Sequence, residues 1–330
     1  MPIADRGPWA TAIRKLLQDR TALTALAVLL LIVVACAAAP LYARYFSGTD
    51  PFVSNVDGSI TLDGKSIDIM QPEQGGLGLG MEPIGPTWRG SYFLGADSQG
   101  RDVMARIFYG GRNSLLISAC STLICLVLAA IIGIVAGFFG GITDTVLSRF
   151  LDILWAFPIY LLAISLSIVL ISHGLTIGPI TLTAGSLLLP ICIIGIVYVP
   201  YVARPIRGQV LSLKSSEFVL AAIGLGVPDW RILLRDVFPN VVTTLIVFAP
   251  LMMALNMLTE SALSFLSIGV QPPAASWGTI IQDGQSLIYT RPLVAIAPGI
   301  TIVATVLALN VFGDGLRDAL DPRSKVRIGG

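Results

Sequence analysis

Few side chains in this sequence are suited to catalysis. Its one histidine, His173, lies in the short stretch SHGLTIGP, so neither an HExxH zinc site nor a Ser-His-Asp triad can be built. His173 reads instead as a solvated loop residue. The four cysteines, Cys36, Cys120, Cys125 and Cys192, fall inside apolar runs without CxxC spacing, which suits small buried side chains rather than metal ligands or disulfides. Asp63-Gly64-Lys65-Ser66 ends like a phosphate-binding loop, but that loop needs glycine where Ser59 stands, and a helix directly after it. The flanking SITLDGKSIDI alternates apolar and polar residues around Asp63-Gly64 and predicts a two-residue β-hairpin. The chain is expected to hold no nucleotide, cofactor or metal.

Three acids lie in or beside apolar runs. Asp152 and Asp314 sit near the ends of such runs, whereas Glu260 lies deeper, toward one leaflet. A lone carboxylate at mid-bilayer costs about 3 kcal/mol on the insertion scale. Glu260 is therefore expected to face other helices or water, as a structural hydrogen-bonding group or as part of a transport route. Neither paired aspartates nor a Ser-His couple is available for intramembrane proteolysis. The chain is expected not to be an enzyme, and any uphill transport must draw its energy from outside the bilayer.

These sparse groups sit in a chain of 330 residues that is 55% hydrophobic and 12% charged, with mean hydropathy +0.82. Soluble domains run near 25% charged, so this is the composition of a bilayer protein. A net charge of +1 leaves no basic surface for nucleic acid. A bilayer core of about 30 Å needs about 20 apolar residues in a helix. Six stretches qualify: 21–43, 114–139, 150–171, 180–203, 241–267 and 293–313. The first, after Arg14, Lys15 and Arg20, imitates a signal peptide, but Pro40 follows the best cleavage point and favours an uncleaved anchor.

Fourteen of the 21 Lys and Arg residues, among them Arg6, Arg149, Arg204, Lys214 and Arg323, fall on one side if both termini are cytoplasmic. Arg101, Arg106 and Arg112 approach the second span from the other side and weaken that bias. The expected organisation is a cytoplasmic N-terminus and first helix (1–43), an extracytoplasmic segment with the hairpin and a lead-in helix (44–113), a core of five helices (114–316) and a cytoplasmic tail (317–330). The loop 204–240 then faces the cytoplasm.

That loop contains EFVLAAIGLGVPDWRILLRDVFPN (217–240), too short to bury a core of its own. Ser215 and Ser216 offer N-cap oxygens for a first short helix, and Gly224 and Gly226 break it. Pro228 and Asp229 suit the first turn of a second helix, in which Trp230, Leu233, Leu234 and Val237 form an apolar stripe. Pro239 is expected to close the element. Such a pair can lie on lipid or dock on a cytoplasmic partner.

This stretch resembles the cytoplasmic loop of bacterial ATP-binding-cassette (ABC) importer permeases, with its Glu-Ala-Ala, Gly and distal Pro pattern falling on Leu220-Ala221-Ala222, Gly226 and Pro239. Leu220 departs from the pattern, and Glu217 stands one turn earlier. LGADSQGRDVMARIFYGGRNSL (94–115), ESALSFLSIGVQPPAASWG (260–278) and GDGLRDALDPR (313–323) resemble C-type permeases of the peptide and nickel importers, with Ser267 where that group has Gly. The resemblance covers nearly all of 94–323 and the N-terminal anchor. It implies an all-α polytopic membrane protein with six transmembrane helices, the type I ABC importer permease fold, interrupted by the extracytoplasmic hairpin insertion.

The resemblance also implies a half-channel in a bacterial inner membrane, paired with a homologous second permease. Two ABC ATPase subunits carrying ATP and Mg, and an extracytoplasmic substrate-binding protein, complete the assembly. Short peptides are the implied cargo, with nickel or another small solute as the alternative. From a different class, an ATP-independent secondary transporter or channel would need none of these partners, and a membrane scaffold would need no second permease. The implied ATPase-coupling residues are Glu217, Ala221, Ala222 and Gly226, with Asp229, Arg231 and Arg235 as polar contacts. Arg101, Asp102, Trp277 and Gly278 are placed at the outer mouth beside Glu260, as structural, gating or binding-protein-contacting groups.

Overall fold

A computed structural model describes residues 8–62, 64–72, 80–177, 180–182 and 185–321. Arg6, Asp63 and Pro322 onward, including Arg323, lie outside the described residues, as does the His173 side chain. The chain opens with α1 (Pro8–Gln18), turns at Asp19 and enters α2 (Arg20–Ala37). Asp19 caps α2 by accepting hydrogen bonds from the Thr21 and Ala22 amides. A short α3 (Ala39–Tyr42) and one wide turn, Ala43–Ser47, then lead out of the bundle.

The described residues between 48 and 102 form a small cap. In it β1 (Ser59–Leu62) pairs antiparallel with β2 (Lys65–Asp68), and β3 (Met70–Pro72) with β4 (Met81–Pro83). Ile69, Ile84, Tyr92 and Ala96 give the cap its own core. Gly64 at φ +81° supplies the left-handed residue that the tight β1–β2 turn needs.

The long helix α4 (Val103–Phe139) is the axle of the molecule and packs against α2, α5, α7, α8, α11 and α12. Its 37 residues span about 55 Å at 1.5 Å per residue, far more than a bilayer core. The expected lead-in helix and the span from 114 are one continuous helix, whose first turns meet the cap where Arg106 donates to the Pro51 carbonyl and Phe52 packs edge-on against Tyr109. Gly133 and Gly137 let α4 and α8 meet at backbone distance: a Cβ on Gly133 would lie 2.9 Å from the Ala203 carbonyl oxygen, and one on Gly137 2.9 Å from that of Arg207. Small residues one turn apart serve this close approach where the hydrophobic effect cannot drive helix pairing.

Two expected spans are broken. The stretch 150–171 is not one helix but α5 (Gly141–Ala156) and α6 (Ile159–His173), meeting at 89°. Pro158 has no N–H for the ladder and forces Phe157 into an extended conformation (φ −91°, ψ 139°), which ends α5. After the strand pair β5 (Leu175–Ile177) and β6 (Ile180–Leu182), the stretch 180–203 becomes α7 (Leu188–Val197) and α8 (Val199–Lys214), bent by 43° near Pro200.

The loop follows as α9 (Glu217–Gly224) and α10 (Asp229–Ile232), and a wide turn at Leu233–Val237 carries α10 directly into α11 (Phe238–Phe265). Then come α12 (Trp277–Gly284) and α13 (Leu293–Leu320), which returns antiparallel with Gly313 facing Pro250 of α11. Among the described residues, four helices are long and apolar enough to cross a membrane alone, and six crossings result if each bent pair is one span.

Buried polar pairs tie the helices at depth. Asn256 Nδ2 donates to Thr122 Oγ1 at 2.9 Å, and the Tyr198 and Thr259 hydroxyls lie 2.8 Å apart. At one end of the bundle Arg207 grips Asp144 with two donors, at 2.5 and 2.6 Å, joining α8 to α5. Lys214 Nζ donates to the Phe138 carbonyl at 2.7 Å, satisfying a last-turn oxygen of α4. All four cysteines are free thiols, Cys36 and Cys125 buried and Cys120 and Cys192 half-buried.

Candidate functional site

The candidate residues gather at opposite ends of the bundle. The first group surrounds α9 and α10. Helix α9 stops at Gly224 because Gly226, at φ +74°, turns the chain left-handed. The Gly226 amide donates to the Ile223 carbonyl at 3.0 Å and the Val227 amide to the Ala222 carbonyl at 3.1 Å, the paired bonds of a Schellman cap. Nothing lies within 4 Å of where a Gly226 Cβ would sit, so the glycine answers to backbone conformation and not to crowding.

Anchoring is divided from display along this segment. Val219, Ile232 and Val237 are fully buried, and Ala222, Val227 and Leu233 pack against the same core. Phe218, Leu220, Ile223, Leu225, Trp230 and Leu234 face outward, with Leu225 84% exposed. The expected stripe is thus divided: Leu233 and Val237 turn inward onto the core, whereas Trp230 and Leu234 face outward. Glu217, Ala221, Gly226, Asp229, Arg231 and Arg235 are all exposed, and Ala222 is half-buried. The Arg231 guanidinium lies 5.5 Å from the Trp230 ring centroid, a cation–π pair on the displayed face.

Two local expectations fail. The Ser215 and Ser216 hydroxyls donate back to the Ser212 and Leu213 carbonyls, so Ser216 caps α9 by backbone conformation alone. Pro239 does not close the element. It occupies the first turn of α11, where its missing N–H costs nothing, and helix runs on both sides of it.

The second group lies around α12. Arg101 Nε donates to Asp97 Oδ2 at 2.8 Å and Arg101 Nη2 to Asp283 Oδ2 at 2.9 Å. Arg106 Nη2 reaches the same Asp283 oxygen at 2.7 Å, and Arg106 Nε lies 3.3 Å from Asp97 Oδ2. Two cations and two anions close a nearly buried ring, with Asp283 its most open member at 29% exposure. Asp97 and Asp283 were not among the sequence candidates. The signal for Asp97 was its place four residues before Arg101, but nothing in the sequence pointed to Asp283.

Asp102 is fully buried and stands apart from this ring. It caps α4 through the Ala105 amide at 3.0 Å, and its second oxygen accepts from the Tyr92 amide at 2.7 Å and the Ser47 hydroxyl at 2.6 Å. Three donors on one carboxylate make it a rivet between cap and α4. Beside it, burial pushes the Tyr92 phenol above its ordinary range.

Glu260, Trp277 and Gly278 come together. The Trp277 indole donates to the Ile107 carbonyl at 3.0 Å, and its amide donates to Ser114 Oγ at 3.1 Å. The Glu260 carboxylate accepts from Ser264 Oγ at 2.7 Å and from Ser261 Oγ at 3.4 Å, with Ser114 and Ser276 close by. Glu260 is fully buried among these serines at the junction of α4, α11 and α12. Gly278 permits that junction, since a Cβ there would collide with the Ser261 carbonyl. Between the charged ring and the 267–274 loop lies an open cavity of about 780 Å³, lined by Arg101, Arg106, Asp283, Gln271, Gln282 and Phe52 among others. No group of three metal-ligating side chains occurs among the described residues. The arrangement positions helices, and among the described residues it offers no nucleophile with a base.

Residues 129–326 match the family described as binding-protein-dependent transport system inner membrane component, and residues 7–55 match the N-terminal TM domain of oligopeptide transport permease C. The chain is 33% identical to the oligopeptide transport system permease protein OppC of Haemophilus influenzae, over 98% of this chain and 92% of that protein. It is 32% identical to the dipeptide transport system permease protein DppC of Alkalihalophilus pseudofirmus, covering 96% and 91%. The glutathione transport system permease protein GsiD of Pectobacterium atrosepticum is 36% identical, over 71% of this chain and 74% of that protein. A chain of the MetNI methionine ABC transporter, solved in inward-facing conformations, superposes with TM-score 0.54 at 16% identity, over 66% of this chain and 97% of that one.

Proposed function

We propose, for a chain that belongs to the binding-protein-dependent transport system inner membrane components, that it forms half of a translocation route for short peptides. It is a multi-pass membrane permease of an ABC importer, a machine that works with an ATPase and a substrate-binding protein. In the proposed assembly a homologous second permease completes the route, two ATPase subunits hold ATP and Mg, and both termini of this chain are cytoplasmic. Peptide cargo rests on the relatives, whose names include oligopeptide and dipeptide systems.

One observation carries the coupling role. The segment 217–235 is anchored by Val219 and Ile232 yet displays Phe218, Leu220, Leu225 and Trp230 beside Glu217, Asp229, Arg231 and Arg235. A stiff element fixed from behind and apolar in front suits insertion into a cleft on a moving partner. Closure of the two ATPases would push such elements together and rock the helices as rigid bodies. Gly226 sets the angle between α9 and α10 in that docking face, and Ala221 and Ala222 keep α9 slim. At the other end the ring of Arg101, Asp97, Arg106 and Asp283, with Asp102, Glu260, Trp277 and Gly278, holds the outer mouth together; these residues act as structure first.

Reconstitution in vesicles tests the proposal. Uptake of a labelled di- or oligopeptide should require this chain, a second permease, the ATPases, ATP and a loaded binding protein. Uptake by this chain alone without nucleotide would overturn it in favour of a secondary carrier or channel.

A further inference from the structure

The helix α1 is used by neither end of this mechanism. It carries three distinct faces. Ala12 is buried and Thr11, Lys15 and Leu16 are half-buried, on the side by which α1 packs against α13 and α2. Arg14 and Gln18 are exposed on a polar face. Trp9, Ile13 and Leu17, spaced four residues apart, form a third face that is apolar and open, at 49, 58 and 61% exposure.

We infer that this third face lies in the lipid interface, seated among anionic phospholipid headgroups of the leaflet that α2 enters. Continuity fixes the occupant. Only Asp19 separates α1 from α2, whose Leu30, Leu31 and Val34 are outward-facing membrane-span residues, so α1 is held within about a turn of the bilayer boundary. The junction is also pinned from behind: Gly315 of α13 comes so close that a Cβ there would lie 3.2 Å from Asp19 Oδ2. Charge complementarity supplies the lipid class. Arg14 on the exposed polar face and Arg20 at the start of α2 outweigh Asp19, whose carboxylate is engaged in capping α2. A tryptophan and two aliphatic residues beside cationic ones is the composition of a helix lying in the interface plane. The inference rests on the membrane reading alone and stands whether or not the cargo is a peptide.

A photoreactive phenylalanine analogue at Ile13 or Leu17, with Gln18 as the control, tests it. The full-length chain is assembled with its partner subunits in vesicles of phosphatidylcholine and phosphatidylglycerol, and adducts are identified by mass. Positions 13 and 17 should yield phospholipid adducts enriched in phosphatidylglycerol over the vesicle composition, and position 18 far fewer. Arg14→Gln should move that enrichment toward the bulk ratio. Cross-links from 13 or 17 to a polypeptide, or quenching by water at both, would overturn the inference. So would lipid adducts at bulk composition that Arg14→Gln leaves unchanged. The Leu17 position keeps the test open if the Ile13 variant does not assemble.

Discussion

Arg106 Nη2 stands 2.7 Å from Asp283 Oδ2, across 177 residues of sequence, and fastens the first turn of α4 to the last turn of α12. Arg101 shares the same oxygen, so Asp283 balances one of two nearly buried cations. Asp283→Ala should leave both guanidinia to Asp97 alone and cost about 2 kcal/mol, below the range for a fully buried pair because Asp283 is partly open. In a double-mutant cycle with Arg106→Met, read by thermal unfolding in detergent, the pair should show coupling of about 1–2 kcal/mol. Additive effects would mean that the ring carries no energy.

The Schellman turn makes a second, separable prediction. Any L-residue at Gly226 must adopt φ near +74°, at about 1–2 kcal/mol. Gly226→Ala and Gly226→Pro should insert and assemble normally yet transport less cargo per ATP hydrolysed, Pro the more severely because its ring fixes φ near −65°. Gly226→Asn should retain most of the coupling, since asparagine tolerates the left-handed region. Uptake and phosphate release measured on the same vesicles give the ratio. Normal coupling in the proline variant would remove this turn from the mechanism.

Leu225, 84% exposed, is among the most open large apolar side chains of the described residues. Leu225→Glu should leave the melting temperature of the isolated permease unchanged and weaken ATPase association by roughly tenfold or more, as for a central interface contact. Val219→Ala is the converse control. It opens a cavity behind α9 and should lower thermal stability by about 1–2 kcal/mol.

Glu260 separates the energy sources. Within its serine nest the carboxylate acts as a hydrogen-bonding hub, so Glu260→Gln should preserve ATP-driven uptake and its independence of the proton gradient. Glu260→Leu should destabilise the α4–α11–α12 junction by about 1–3 kcal/mol, because the serine hydroxyls lose their shared acceptor. A folded Glu260→Gln variant without uptake would place the carboxylate in the transport step itself.

Much of this protein was legible in order. The apolar runs named the segments long and apolar enough to cross a bilayer, and Gly226 marked the elbow, because length, hydropathy and left-handed glycine are local properties. The scarcity of His and Cys patterns bounded the chemistry for the same reason. What the order of residues did not contain was phase and partnership. Trp230, Leu233, Leu234 and Val237 read as one apolar stripe, yet the fold divides them, with Leu233 and Val237 packed on the core and Trp230 and Leu234 exposed. A single span at 150–171 became two helices at 89°, since apolar content is blind to the backbone demand of Pro158. Asp283 gained its role only when α12 folded back beside α4. Local physics is written along the chain, whereas the meeting of Arg106 with Asp283, or of Gly278 with Ser261, is decided by which helices pack. That is why tertiary structure alone assembled the charged ring and the junction around α12.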